Sequence, residues 1–321
     1  MLAGGDVVSA RTMVSLVEEY IAHRRSLGFA LRIEGQQLLS FARFADTDGH
    51  TGPVTIDLIV RWATQPTKRS RRYPARRLDT VRPFAHYRAA FDPRTEVPPR
   101  GLLGPARQRP IPHIYAPSEL TALLSVAAQL PSPKGIRAAT YTTLFGLLAA
   151  SGLRISEALR LTRADVDLAG GVLTIRATKF RKTRLVPLHA TTIDALRAYA
   201  HQRDRTVPYV TTATFFISER GTALPYNTVR NLFCRLRARL RWDALTPRPR
   251  IHDLRHTFAC RRLEQWYVSG GDLAPRVAAL ATYLGHAKVS DTYWYLTGTP
   301  ELLTLAVRRF EAFAERPRGD R

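Results

Sequence analysis

Cysteine is almost missing from this chain: Cys234 and Cys260 are the only two in 321 residues. A disulfide framework is excluded on that count, and so is a cysteine-rich zinc module; the composition fits a reducing compartment. Long apolar runs are missing too. The best candidate, Leu144 to Ala150, falls far short of the roughly 18 residues a membrane span needs. The opening residues, Met1 to Asp6, have neither the charged region nor the apolar core of a secretory signal, so a cytoplasmic location is expected. Acidic residues are scarce: 26 Asp and Glu stand against 49 Lys and Arg, a net charge of +23. No repeat or low-complexity segment stands out. Such an imbalance, in a chain that is 45% hydrophobic and therefore able to bury real cores, points to a polyanionic partner and most simply to nucleic acid.

The length suggests two domains. From Arg11 to Phe91 the pattern is helical: Met13, Leu16, Val17, Tyr20 and Ile21 recur at helical spacing, as do Leu38, Phe41 and Ala45. Pro66, Pro74 and Pro83 are expected at helix starts or ends. Residues 1–92 thus read as a small helical domain. Seven prolines then fall between Pro93 and Pro117, which excludes a regular helix or central strand and marks 93–117 as an extended linker. The second domain, 118–321, is expected to open with Ser118 capping a helix over Glu119 to Ala128. A buried helix over Ala138 to Ala150 follows, broken at Ser151-Gly152 and resumed from Ile155 to Leu161. Asp165 to Leu168, Val172 to Arg176 and Thr183 to Leu188 read as three short antiparallel strands, and helices return after them. The expected class is mainly α with a small three-stranded antiparallel sheet.

Between Arg61 and Arg109 lie thirteen Lys or Arg and only three acids, with aromatics interleaved. The bland reading is a solvated charged face over core aromatics. The functional one is phosphate contact along a duplex, where each neutralised phosphate adds about 0.9 to the salt slope by counterion release. The overall charge favours the second and makes Lys68, Arg69, Arg71, Arg72, Arg76 and Arg77 candidates for DNA contact, with Arg181 and Lys182 on a later hairpin.

Four local signals follow in order along the second domain. Ser151-Gly152-Leu153-Arg154-Ile155-Ser156-Glu157 places an arginine where a helix resumes, among apolar neighbours, with Glu157 three residues on. Arg154 could be a plain surface cation, but a buried guanidinium needs a partner, which Glu157 or a phosphate would supply. The hairpin Thr178-Lys179-Phe180-Arg181-Lys182-Thr183-Arg184 carries four cations, usually a solvent-facing feature, though a hairpin tip also reaches into a DNA groove. In Ile251-His252-Asp253-Leu254-Arg255-His256 the two histidines are one helical turn apart, and Cys260 continues the row. Zinc is disfavoured there, because no paired Cys-x-x-Cys exists and Asp253 stands where a zinc protease has its Glu. Last come Tyr283-Leu284-Gly285-His286 and Tyr293-Trp294-Tyr295. An aromatic triplet alone is more often core than catalytic.

Taken together, Arg, Lys, His-x-x-Arg, Gly-His and a tyrosine nine residues after that last histidine resemble the tyrosine recombinase (phage integrase) family, over nearly all of the second domain. The helical basic first domain and the linker resemble its two-domain DNA clamp, and the wording around LFGLLAASGLRISEALRLT suggests the recombinases of mobile elements. The resemblance implies that Arg154 and Arg255 grip the scissile phosphate and that His252 and His286 add hydrogen bonds and manage protons. It implies Lys179 as the general acid, Glu157 as support for Arg154 or His252, and Tyr295 as the nucleophile. Double-stranded DNA is the implied partner, a tetramer with or without sister recombinases the implied assembly, and neither metal nor other cofactor is implied. The chain departs from the pattern in lacking glycine beside Lys179, which leaves Lys182 as a rival, and in a long stretch from His256 to His286; Tyr293 is the alternative nucleophile. The amphipathic tail from Pro300 to Phe313 either caps its own domain or docks on a neighbouring protomer. A type IB topoisomerase-like nicking-closing enzyme and a non-catalytic DNA-binding accessory protein are the competing readings.

Overall fold

Helix α1 (Met13–Ser26) begins where its orphan amides find oxygen. The Thr12 hydroxyl accepts from Ser15 N at 3.1 Å, and the Asp46 carboxylate reaches across from the second helix to Met13 N at 2.7 Å and Val14 N at 3.1 Å. The structure is a computed structural model describing residues 11–66, 72–106, 111–176 and 183–295, with Thr304, Val307, Arg308 and Glu311 of the tail. The chain divides into two compact units between residues 109 and 110.

In the first unit, α1, α2 (Arg32–Thr47), α3 (Ile56–Thr64) and α4 (Tyr73–Ala89) enclose Val17, Leu38, Phe41, Leu58, Trp62 and Phe84. Pro66 follows α3 and Pro74 sits in the first turn of α4, where a missing N–H costs nothing. Pro83 is a correction: it lies inside α4 rather than at an end. The lost helical hydrogen bond and ring clash cost about 3 kcal/mol. The adjacent Val81, Phe84 and Ala85 are all buried, and burying one large apolar side chain gains about 2 kcal/mol, so the helix continues.

The described residues of the proline-rich segment up to Ala116 form neither helix nor strand, and those before the division do not run free. Val97 and Leu103 pack on the first unit's core, Glu96 N donates to Val54 O at 2.8 Å, and Arg82 donates to Pro98 O and Pro99 O. On the other side of the division, Tyr115 is fully buried in the second unit. Its amide donates to Thr257 Oγ1 at 2.9 Å and its hydroxyl to Arg250 O at 3.0 Å.

The second unit opens with α5 (Pro117–Ala128), two residues earlier than expected. Ala116, not Ser118, is the N-cap, because Pro117 suits the first helical position and Glu119 accepts from Ala116 N at 2.8 Å. The apolar α6 (Ile136–Ser151) is central, packing against α5, α8 (Ala190–Thr206) and α10 (Ile251–Ser269). The single-turn α7 (Ile155–Ala158) follows. Strands β1 (Val166–Asp167), β2 (Val172–Ile175) and β3 (Arg184–Pro187) form an antiparallel sheet in the order β1-β2-β3, with Leu173 opposite both Val166 and Val186. Helices α9 (Tyr226–Arg239), α11 (Ala274–Leu284) and α12 (Ser290–Tyr293) complete the described fold, which is mainly helical with one small sheet, as expected. Among the described residues no helix is long and apolar enough to cross a membrane.

Candidate active site

Two glycines let three helix ends meet. Gly152 terminates α6 with φ +62°, and a Cβ there would come within 2.5 Å of the Phe258 ring on α10. Gly285 terminates α11 with φ +69°, and a Cβ there would strike the Arg184 guanidinium at 2.6 Å. Both positions exclude a side chain, and both neighbouring carbonyls are used. Arg255, on α10, donates to Gly152 O and Leu284 O, each at 2.7 Å, and contacts His286 Nε2 at 2.9 Å.

Arg255 is only 2% exposed, and these partners are all neutral. Burial pulls its guanidinium down to about 10, with Arg154 pushing the same way and Tyr295 opposing, so it remains a cation at neutral pH. A buried cation held by neutral groups is expensive unless an anion completes it.

A guanidinium nitrogen can only donate, so Nε2 of His286 accepts. The ring proton then sits on Nδ1, which faces Thr292 Oγ1 at 2.7 Å. Burial first, then the charges of Arg255 and Arg154, hold His286 down at about 4. His252 keeps an exposed surface, yet the packing around its ring, then the charges of His256 and Arg255, hold it down at about 4. Both imidazoles are neutral at pH 7.

Tyr295 is 4% exposed and lies among these groups. Its ring is near-parallel to His286 at 5.8 Å between centroids and edge-on to His256 at 5.2 Å, and Arg255 is within its hydrogen-bonding and electrostatic reach. Tyr293 is 52% exposed and makes none of these ring contacts. Five of the expected residues, Arg154, His252, Arg255, His286 and Tyr295, are therefore gathered on the second unit, at the junction of α6, α10 and α11.

Glu157 is 4% exposed and braces Arg154 from below. It accepts from Arg154 N at 3.0 Å and Arg154 NH1 at 2.9 Å, and from Arg184 NH1 and NH2 at 3.2 Å and 2.9 Å. Burial alone would raise its carboxyl; the bonds and charge of Arg184, with those of Arg154, overcome that and bring it to about 2. Its hydrogen bonds go to the two arginines, so of the two expected clients it serves Arg154.

Arg184 is the residue sequence reasoning missed. It was grouped with the solvent-facing hairpin cations, yet on β3 its side chain is only 9% exposed, gripping Glu157 and donating to Tyr283 O at 2.8 Å. The signal was present: in a strand, residues two apart share a face, and the buried Val186 places Arg184 inward while Leu185 points to solvent.

Arg77 is a correction in the other direction. Expected on phosphate, it is 6% exposed and lies 3.9 Å over the Trp62 ring, a cation–π contact inside the first unit. Its alternation with exposed Arg76 is helical: adjacent residues on a helix point to different sides. Arg72 and Arg76 are exposed. Lys68, Arg69, Arg71, Lys179, Arg181 and Lys182, and most of the tail from Pro300 to Phe313, lie outside the described residues. Of the row His252, His256 and Cys260, the last two meet Tyr295: Cys260 is buried, its thiol pushed up to about 12 by burial, and its sulfur is 3.7 Å from Tyr295 O.

A helical domain that surrounds a tyrosine with a buried arginine, a braced second arginine and two neutral histidines belongs to the class of DNA strand-exchange enzymes built on a tyrosine. Comparison with known proteins agrees. The Phage integrase family matches residues 115–301. A putative integrase/recombinase, y4rB, of Sinorhizobium fredii is 42% identical, covering 94% of this chain and 97% of its own. The tyrosine recombinase XerD of Caulobacter vibrioides is 31% identical, covering 69% of each chain. Among solved structures, the Tn1549 transposon integrase in complex with transposon right end DNA shares the fold at a TM-score of 0.69 and 18% identity, covering 95% of this chain and all of that one, 100%. The chain belongs to the phage integrase family and is a tyrosine recombinase.

Proposed function

We propose that this protein is a site-specific recombinase that cuts and rejoins double-stranded DNA through a 3′-phosphotyrosine on Tyr295. The carrying observation is the buried Arg255 cation, bonded only to neutral groups and set beside the Tyr295 ring. A phosphodiester is the anion that would complete it. Arg154 and Arg255 hold the non-bridging oxygens and stabilise the charge that builds as phosphorus becomes five-coordinate; planar guanidinium forks match that geometry. The Tyr295 oxygen forms the new bond to phosphorus, and its proton passes to the imidazole of His252, which is neutral at pH 7 and so has a nitrogen lone pair to receive it. The bond to the 5′ oxygen breaks, and Lys179 supplies the proton that oxygen needs. His286 steadies the same phosphate.

Tyrosine keeps the energy of the broken bond, so a 5′ hydroxyl from the partner duplex reverses the step without ATP, and the arginines do the electrostatic work a metal would otherwise do. Two such exchanges, one strand at a time, pass through a Holliday junction. That sequence calls for a tetramer on paired sites, made by this chain alone or with sister recombinases, acting on cytoplasmic, nucleoid DNA. The first unit, residues 1–92 of which carry Arg72 and Arg76 as exposed cations, is assigned to backbone contact around the site, with the Lys68 to Arg71 run and the Arg181-Lys182 hairpin adding to it.

Covalent trapping tests the reading. A binding site is selected from a pool of randomised inverted repeats, nicked so that cleavage becomes irreversible, and incubated with the protein in chelator. An SDS-resistant adduct with wild type and none with Tyr295→Phe is the expected outcome. Adducts with both proteins would move the nucleophile elsewhere; none with either would leave a protein that binds without cutting.

A further inference from the structure

The row of His252, His256 and Cys260 is absorbed neither by metal chemistry nor by phosphate binding beyond His252. The three occur at i, i+4 and i+8 of α10, so they line one face of the helix, and that face is turned to the nucleophile. The His256 ring meets His252 at right angles, 4.9 Å between centroids, and presents itself to the Tyr295 ring at 5.2 Å and 64°. The Tyr295 ring is also nearly parallel to His286, at 5.8 Å and 20°. One turn further along α10, the buried Cys260 thiol donates to the main-chain oxygen of Tyr295 at 3.7 Å. Ala259, Cys260, Leu263, Val277, Leu280 and Leu284 form one apolar cluster that includes Tyr295 itself. The ring of the tyrosine thus meets two imidazoles, and its backbone meets the thiol.

We propose that His256 and Cys260 are positioning residues that cradle Tyr295 against the site of its own chain, His256 by ring contact and Cys260 by its bond to the Tyr295 carbonyl. The inference rests on the reading of Tyr295 as nucleophile and goes beyond it. A tyrosine side chain has two rotatable bonds, and in-line attack on phosphorus tolerates little error; a displacement of about 1 Å costs on the order of 100-fold in rate. Tyr295 follows the four-residue helix α12, and among the described residues its amide donates to Thr292 O at 3.0 Å, a bond that fixes the backbone and not the ring. The contacts from α10 aim it. They also tie the aim to the same rigid helix that carries His252 and Arg255, so nucleophile and phosphate-binding groups move as one body. In this arrangement the part of His256 that matters is the shape of its ring, not its proton.

The test is single-turnover adduct formation on the nicked suicide duplex described above, with the full chain as wild type, His256→Ala, His256→Phe and Cys260→Ala. DNA affinity and melting temperature are measured alongside. His256→Ala is expected to slow cleavage on the order of 10- to 100-fold at unchanged affinity. His256→Phe keeps a ring edge in place without an ionisable atom, so it is expected to restore most of the rate with the wild-type pH profile. Cys260→Ala is expected to slow cleavage less than His256→Ala. A His256→Ala protein that cleaves at the wild-type rate overturns the proposal. So does a folded His256→Phe protein as slow as the alanine variant, since that result assigns the effect to the imidazole proton. Absence of an adduct with wild type itself would instead remove Tyr295 as nucleophile, which separates the two failures.

Discussion

The guanidinium of Arg184 grips both carboxylate oxygens of Glu157, at 2.9 Å and 3.2 Å, across 27 residues of chain. Through Glu157 it reaches Arg154, and through its bond to Tyr283 O it reaches the end of α11, two residues before Gly285. One buried side chain therefore fastens the sheet to two of the loops that supply the site. Arg184→Ala removes a partner from a buried carboxylate, and breaking such a pair typically costs about 3 kcal/mol. Denaturant unfolding of the full chain is expected to show a loss of that order. Cleavage is expected to fall further than the lost folded fraction explains, because Arg154 loses its brace.

Gly285→Ala should be damaging for two separate reasons. Its backbone is left-handed, and the new Cβ would meet the Arg184 guanidinium at 2.6 Å. Stability is expected to drop by about 1–3 kcal/mol, with cleavage lost in proportion to the displacement of His286. An unchanged melting temperature would contradict the contact.

Arg255→Ala is expected to abolish adduct formation, at least 100-fold, while leaving most of the DNA affinity. Many other phosphate contacts survive the change, and mobility-shift binding measures them. Loss of affinity and cleavage together would count against its assigned role. Tyr293→Phe, at an exposed position, is expected to leave adduct formation unchanged.

Acid should weaken the fold in two stages. His252 and His286 have an ordinary value of 6.5 and are held near 4 in the native protein, so the unfolded chain binds more protons in that window. Their contribution is complete above 6.5 and is lost as pH falls toward 4. Glu157, ordinarily near 4.5 and held at about 2, contributes above 4.5 and loses that contribution as pH falls through 2. Urea midpoints measured at intervals of pH are expected to decline already between 6.5 and 4. The ring-proton NMR signals of both histidines are expected to titrate near 4.

Arg77 and Arg76 are neighbours with opposite expected phenotypes. Arg77→Ala removes a buried cation–π contact with Trp62 and should lower stability by about 1–2 kcal/mol without changing the salt dependence of DNA binding. Arg76→Ala should leave stability alone and reduce the salt slope by about 1. Binding isotherms at several salt concentrations distinguish them.

The sequence by itself determined the helical periodicity of both units, the three short strands, the break in the chain's character at the prolines and the identity of the chemical side chains. Each depends on local pattern: apolar spacing, turn residues, and motifs in which His252 and Arg255, or Gly285 and His286, sit within a turn of each other. Tertiary structure decided the rest, because it depends on who is buried against whom. Arg77 and Arg184 looked like surface cations, and only packing against Trp62 and Glu157 made them structural. Pro83 stays inside its helix because its neighbours are buried. Tyr295 rather than Tyr293 lies beside Arg255 because the apolar cluster shared by α10 and α11 takes in one ring and leaves the other in solvent, a choice made by packing against other helices rather than by local sequence.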